Sequence, residues 1–270
     1  MKQLHVIGEG STAQIVALSP EKVAKLFYDH VPDHAIEHEY MIGKRISDTG
    51  LPVPFVYQIE HIIEKRALIY ERINGFTMTS YFGSHPWQAI HLMRRMAKLQ
   101  VGVHEKKLSS LPVQREVLLR KIESVHELNN DDKRKIYQHL EKLPDGESLC
   151  HGDFHPDNIL LPKKGPIIID WADATRGNRM ADLARTLLIL RFGGLSEDIS
   201  SINLRTILYV RKFLAKYYKN SYNRHYAFSA ESLNKWMVPI AAARLSEKLP
   251  HHEKKKLVSI VQTYLKDEGF

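Results

Sequence analysis

Two segments set polar side chains into apolar surroundings. His151-Gly152-Asp153-Phe154-His155-Pro156-Asp157-Asn158 runs straight into Ile159-Leu160-Leu161, and Ile167-Ile168-Ile169 closes on Asp170-Trp171-Ala172. Asp153 and Asn158 stand five residues apart across a proline-containing loop, so both side chains can face one cavity. Asp170 places a carboxylate at the end of a strand-like run. Oxygen donors without cysteine suit a hard cation such as Mg2+, which also bridges to phosphate oxygens. On this reading Asn158 and Asp170 hold metal, and Asp153 orients or deprotonates an attacking hydroxyl. Two blander readings compete. Asp and Asn cap turns and helices, and His151 with His155 and an Asp could bind zinc. Gly152 and Pro156 oppose the regular helix that an i, i+4 histidine pair requires, so the histidines are expected to brace the loop.

A second set lies near the start. Gly8, Gly10, Ser11 and Thr12 occupy a turn between two apolar runs, where glycines let backbone N–H groups approach phosphate and the hydroxyls add donors. No Gly-Lys-Ser/Thr follows, and the next element reads as a strand, so neither a Walker A loop nor a Rossmann fingerprint fits. Lys25 lies in Val23-Ala24-Lys25-Leu26-Phe27, on the face of Val23 and Phe27 under strand alternation. A lysine there needs a partner; Glu39 in the following helix is expected to supply it, with Glu37 as runner-up. Main chain near Glu71 and Ile73 could hydrogen-bond adenine, with Ile7, Val16, Ala24 and Ile69 as apolar walls. Asp182, in Arg179-Met180-Ala181-Asp182-Leu183-Ala184-Arg185, is expected to cap a helix or brace the 151–158 loop.

The elements that must position these groups change character near Gly75. Before it, short runs at 4–8, 13–19, 23–27, 53–60 and 66–71 read as antiparallel strands with one helix over 35–47. After it, helical periods cover 87–107, 113–128, 131–143, 181–192, 202–222, 233–249 and 253–265, interrupted by strand and loop at 150–171. The expected architecture is α+β: a small antiparallel sheet lobe, residues 1–74, joined to a larger, mostly helical lobe, residues 75–270, with a cleft at the join. The length of 270 residues allows one large domain or two intimate lobes. One cysteine, Cys150, excludes an intrachain disulfide and any multi-cysteine metal site. The sequence contains no apolar run of membrane-spanning length and no hydrophobic leader, which predicts a cytoplasmic protein with no membrane partner. The net charge of +8 comes with no zinc finger, RNP-like strand or Arg-rich arm, so no nucleic-acid partner is expected.

The order of His151–Asn158, Ile169-Asp170-Trp171, Asp182–Arg185, the glycine turn, Lys25 and Glu39 resembles the aminoglycoside phosphotransferase and choline kinase-like family, the small-molecule branch of the protein-kinase-like fold. The likeness spans roughly residues 4–250 and is most specific in the 151–158 segment. It implies an ATP-dependent transfer of a γ-phosphoryl group to the hydroxyl of a small molecule such as an aminoglycoside, an amino alcohol or a sugar. It makes Asp153 the catalytic aspartate, Asn158 and Asp170 the Mg2+ ligands, and Lys25 the phosphate-binding lysine supported by Glu39. Protein kinases read His-Arg-Asp and Asp-Phe-Gly where this chain has His151-Gly152-Asp153 and Asp170-Trp171-Ala172, which favours small acceptors over protein. Ala13 stands near the place of the third kinase glycine. Acceptor-lining candidates are Asp173, Glu197, Asp198, Glu231, Trp236, Tyr217, Tyr218 and Tyr222, with the tail Asp267-Glu268-Gly269-Phe270. A catalytically silent nucleotide-binding module is the alternative, and either a monomer or a homodimer is compatible with the sequence.

Overall fold

The computed structural model describes residues 5–194 and 201–267. Its contacts divide into two compact units, residues 1–84 with 156–173 and residues 85–155 with 174–270.

The first unit is built on β1 (His5–Glu9), β2 (Ala13–Ala17), β3 (Lys22–Phe27), β4 (Val56–Ile62) and β5 (Lys65–Glu71), an antiparallel sheet in the order β1-β2-β3-β5-β4. Alternation sorts its side chains. Val16, Ala24 and Ile69 stand opposite one another on one face, in a core cluster with Leu26 and Ala67. Ala13, Phe27 and Leu68 occupy the other face and pack on Ile36 of helix α1 (Asp33–Ser47). Gly43 lets α1 approach the sheet, because a Cβ there would lie 2.7 Å from Val56 Cγ2. A second sheet, β6-β8-β9, joins β6 (Phe76–Thr77), β8 (Ile159–Leu161) and β9 (Ile167–Ile168), with α2 (Met78–Ser84) following β6. The β8–β9 register sets Ile159 against Ile168.

The second unit is helical: α3 (Ala89–His104), α4 (Gln114–Glu123), α5 (Asn130–Glu141), α6 (Arg179–Phe192), α7 (Ser201–His225), α8 (Ala230–Arg244) and α9 (His251–Asp267). Helix α3 packs on α7, and α8 packs on α4, α6 and α9. A two-stranded ladder, β7 (Ser148–Cys150) with β10 (Thr175–Gly177), contacts α3, α4 and α6. Asn178 caps α6 through its side chain, which accepts from the Met180 N–H. Among the described residues no helix is long and apolar enough to cross a membrane.

Candidate active site

In the strand-rich unit, Lys25 sits at the centre of β3 between Ile15 of β2 and Leu68 of β5. Its Nζ donates to Glu39 Oε1 at 2.7 Å and to Asp170 Oδ1 at 3.1 Å. The Tyr70 hydroxyl donates to the same Glu39 oxygen at 2.9 Å. Burial pulls the Lys25 ammonium down, but the charges of Asp170 and Glu39 outweigh it and leave the group above its ordinary value. Burial, reinforced by Glu39 and Asp170, raises Tyr70 well above its ordinary value. Glu37, the runner-up partner, instead points to Arg66 at 3.6 Å. Tyr70 and the Lys25–Asp170 contact went unread in the sequence, although alternation along Leu68-Ile69-Tyr70 already puts Tyr70 on the Leu68 face.

Asn158 and Asp170 meet at the open end of the β8–β9 hairpin. Asn158 immediately precedes β8, and its carbonyl accepts from the Ile169 N–H at 3.0 Å. Asp170 takes a left-handed backbone with φ 61°, a conformation that costs energy for a non-glycine residue and recurs at functional sites. One buried amide side chain and one part-exposed carboxylate make a hard-oxygen donor pair, of the kind that Mg2+ shares with phosphate oxygens. The pair fits the expected cation. Among the described residues no three His, Cys, Asp or Glu side chains are arranged to hold a metal, so the zinc alternative has no ligand set.

Gly10 closes the β1–β2 turn with its N–H on the Ala13 carbonyl at 2.9 Å, and the Thr12 carbonyl accepts from Tyr28 at 2.9 Å. Ser11 and Thr12 are exposed. A Cβ on Gly8 or Gly10 would meet its nearest neighbour at 3.6 and 3.7 Å, ordinary contacts. The chain's own packing therefore does not demand glycine at either position. Glu71 ends β5, and its N–H donates to Phe55 at 2.8 Å; Ile73 lies in the coil that follows. Three of the four expected adenine walls need correction. Val16, Ala24 and Ile69 are nearly fully buried on the sheet face opposite Lys25. Alternation instead places the half-buried Ile15, Ala17 and Val23 on the lysine's face.

In the helical unit, Asp153 is held from two sides. Its Oδ2 accepts from His155 Nε2 and its Oδ1 from Arg185 Nη2, each at 3.2 Å. Burial raises the carboxyl, but His155 and Arg185 overcome it and hold the group far below the usual carboxylate range. The loop beneath is anchored by Asp182 on α6. This buried carboxylate accepts from the Gly152 N–H at 2.8 Å and the His151 N–H at 3.3 Å, and Gly152 needs its φ of 80° to reach it. Gln100 Nε2 and His104 Nε2 of α3 each donate to Asp182 at 3.0 Å, and the Tyr222 hydroxyl donates to His104 Nδ1 at 2.6 Å. Bracing the loop is thus what Asp182 does. Arg185 follows one helical turn later and also grips Glu247 at 2.6 Å. It went unread as a partner of Asp153, although the i, i+3 spacing from Asp182 puts both on one side of α6.

Of the acceptor-lining candidates, Tyr218 and Tyr222 are fully buried and hydrogen-bonded into this network, so they offer no ring to a ligand cation. Tyr217 accepts from Arg94, Glu231 pairs with Lys235, and Asp173 is exposed. Glu197, Asp198, residues 268–270 and the Asp267 side chain lie outside the described residues.

Sheet, helices and order of elements define an α+β protein of the protein-kinase-like class. A hygromycin-binding relative shares it: a thermostable mutant of aminoglycoside phosphotransferase APH(4)-Ia, solved as a ternary complex with AMP-PNP and hygromycin B, superimposes with a TM-score of 0.67 at 16% identity, covering 99% of this chain and 94% of that one. Choline kinase from Cryptosporidium parvum Iowa II gives 0.61 at 13% identity over 98% and 88%. Residues 4–200 match the APH phosphotransferase enzyme family, and the chain belongs to that family. Mouse acyl-CoA dehydrogenase family member 10 is 25% identical over 206 residues, 64% of this chain but only 19% of that protein, so the chain corresponds to a minor part of that relative.

Proposed function

We propose that this chain transfers the γ-phosphoryl group of ATP to a hydroxyl of a small molecule. The observation that carries the reading is the half-buried Lys25 ammonium, bonded to both Glu39 and Asp170 and held above its ordinary pKa. A cation held in this way is placed to neutralise phosphate oxygens. AMP-PNP in the phosphotransferase of like fold supports the nucleotide. The β1–β2 turn, through Gly8, Gly10, Ser11 and Thr12, supplies backbone and hydroxyl donors to the phosphates, and the main chain at Glu71 and Ile73 receives the adenine. Asn158 and Asp170 would hold Mg2+, which supplies further charge neutralisation when bound.

Asp153 receives the acceptor hydroxyl and aims its oxygen at the γ-phosphorus. As the new O–P bond forms, the bond from phosphorus to the bridging oxygen breaks and its electron pair leaves with ADP. The hydroxyl proton departs late, to Asp153 or to the transferred phosphate, because the transition state is loose and little charge builds on the attacking oxygen.

The test is Mg2+-dependent ADP release against a panel of aminoglycosides, choline, ethanolamine, amino acids and sugars, with D153N as the comparison. Acceptor-dependent ADP release is expected from the parent. In D153N it is expected to fall by orders of magnitude while nucleotide binding stays nearly intact. Equal turnover in the two proteins would remove Asp153 from the reaction, and failure of the parent to bind ATP would remove the reading.

A further inference from the structure

The helical unit contains a cavity of about 410 Å³ with no part in the chemistry above. It lies beside the β7–β10 ladder, between the start of α4, the 145–147 segment and Trp236 of α8. Its volume is that of a small ligand site. One wall is rigid, because Gly146 and Gly177 pack so closely that a Cβ on Gly146 would lie 2.4 Å from the Gly177 carbonyl. Gln114 is fixed as well, its Oε1 accepting from the Asn178 N–H at 2.9 Å.

Four charged side chains line the space, and three are committed. Arg115 donates to Asp145 at 2.8 Å and to the carbonyls of Leu143 and Leu140. Glu147 accepts from Lys107 at 2.8 Å. That bond holds the Glu147 carboxyl below its ordinary value, with the charge of Arg176 adding a smaller pull. Arg176 is the exception. It sits mid-strand in β10, opposite Leu149, and is half-buried. Its Nε is fully covered without a hydrogen-bond partner, and no described residue accepts from its guanidinium. A covered guanidinium N–H without an acceptor is costly, and the planar fork it belongs to is matched by a carboxylate. Trp236 supplies an apolar wall and an indole that donates to no described residue.

We propose that this cavity binds a small organic monocarboxylate, with Arg176 as its anchor and Trp236 against its body. The ladder ties the cavity to the rest of the unit: β7 leads through Cys150 into His151, and β10 leads through Gly177 into the cap of α6.

Benzoate is the probe, titrated calorimetrically into the full chain without nucleotide, with benzyl alcohol as the uncharged comparison. One saturable site per chain is expected at millimolar concentration or below, with benzyl alcohol at least about 10-fold weaker. R176Q is expected to weaken benzoate by about 10-fold or more, and R176K by less. R176M separates this from folding, because it should melt no lower than the parent yet lose the rise in melting temperature that benzoate gives. K25M should bind benzoate as the parent does, whether or not the proposed phosphotransfer is correct. Absence of saturable binding, unchanged binding in R176Q, loss of binding in K25M or a clear destabilisation in R176M would each overturn the proposal.

Discussion

Asp153 keeps its charge in spite of burial because His155 and Arg185 both donate to it. A carboxylate held that far below its usual range is a weak base, so in the proposed reaction its part would be orientation. The sign of the pH dependence follows. Its folded pKa lies below the unfolded value near 3.8, so the stabilisation is complete above that value and disappears as pH falls through the folded one. The acid limb of kcat/KM due to Asp153 should therefore lie below about pH 4. R185M removes one of these donors. Its expected signature is a lower kcat, an unchanged KM for ATP and an acid limb displaced upward, read from steady-state rates across pH. An unmoved limb would reduce Arg185 to packing. Lys25 has the opposite sign: its raised pKa favours the fold at and below neutrality, and that contribution is lost as pH rises above the ordinary lysine value of 10.5. Y70F removes the second donor to Glu39 and should cost about 1 kcal/mol in denaturant unfolding.

Helix α1 delivers Glu39 to Lys25, and the contact of Gly43 with Val56 sets how closely that helix lies on the sheet. G43A should therefore destabilise the protein by about 1–3 kcal/mol through overpacking, and V56A in the same chain should recover most of it. Denaturant midpoints check both; additive losses would mean that the two residues do not share the strain. Gly10 is a contrast, since a Cβ at that position meets nothing closer than 3.7 Å. G10A is expected to melt with the parent while binding ATP more weakly, which separates a glycine kept for a ligand from one kept for packing. Period and turn residues made the five long strands and most helices legible, including α1 and its Glu39. Strands β8 and β9 were read only as strand-like runs within 150–171, and β6, β7 and β10 escaped because runs of two or three residues have no period to read. Helix α2, seven residues of Met-Thr-Ser-Tyr-Phe-Gly-Ser, carries little helix propensity and was passed over. Val16, Ala24 and Ile69 failed as adenine walls on parity: Ala24 neighbours Lys25 in sequence and so faces away from it in a strand.

The strand-rich unit recruits residues 156–173 from the middle of the helical sequence, because Phe76 and Thr77 of β6 pair with Leu161 and Leu160 of β8. No local pattern announces a pairing across that separation, whereas the motif residues within 151–170 were plain in the sequence. Charge is a property of the same scale, and it bears on the acceptor. Residues 1–75 contain 8 basic and 10 acidic side chains, while residues 76–270 contain 31 and 21. Asp153 pairs with His155 and Arg185, and Glu247 is shared by Arg185, Arg244 and Lys121. Asp182 and Glu253 are buried in bonds to His104 and Arg244. An acceptor with several ammonium groups would meet cations here and find these carboxylates taken. Uncharged or anionic alcohols should give higher kcat/KM than aminoglycosides or choline. For an anionic acceptor, KM should rise with ionic strength as screening weakens its attraction to the basic unit, while a neutral acceptor should respond little. Initial rates over a salt series with matched neutral and anionic sugars measure this, and a polycation emerging as the best substrate would reverse the argument.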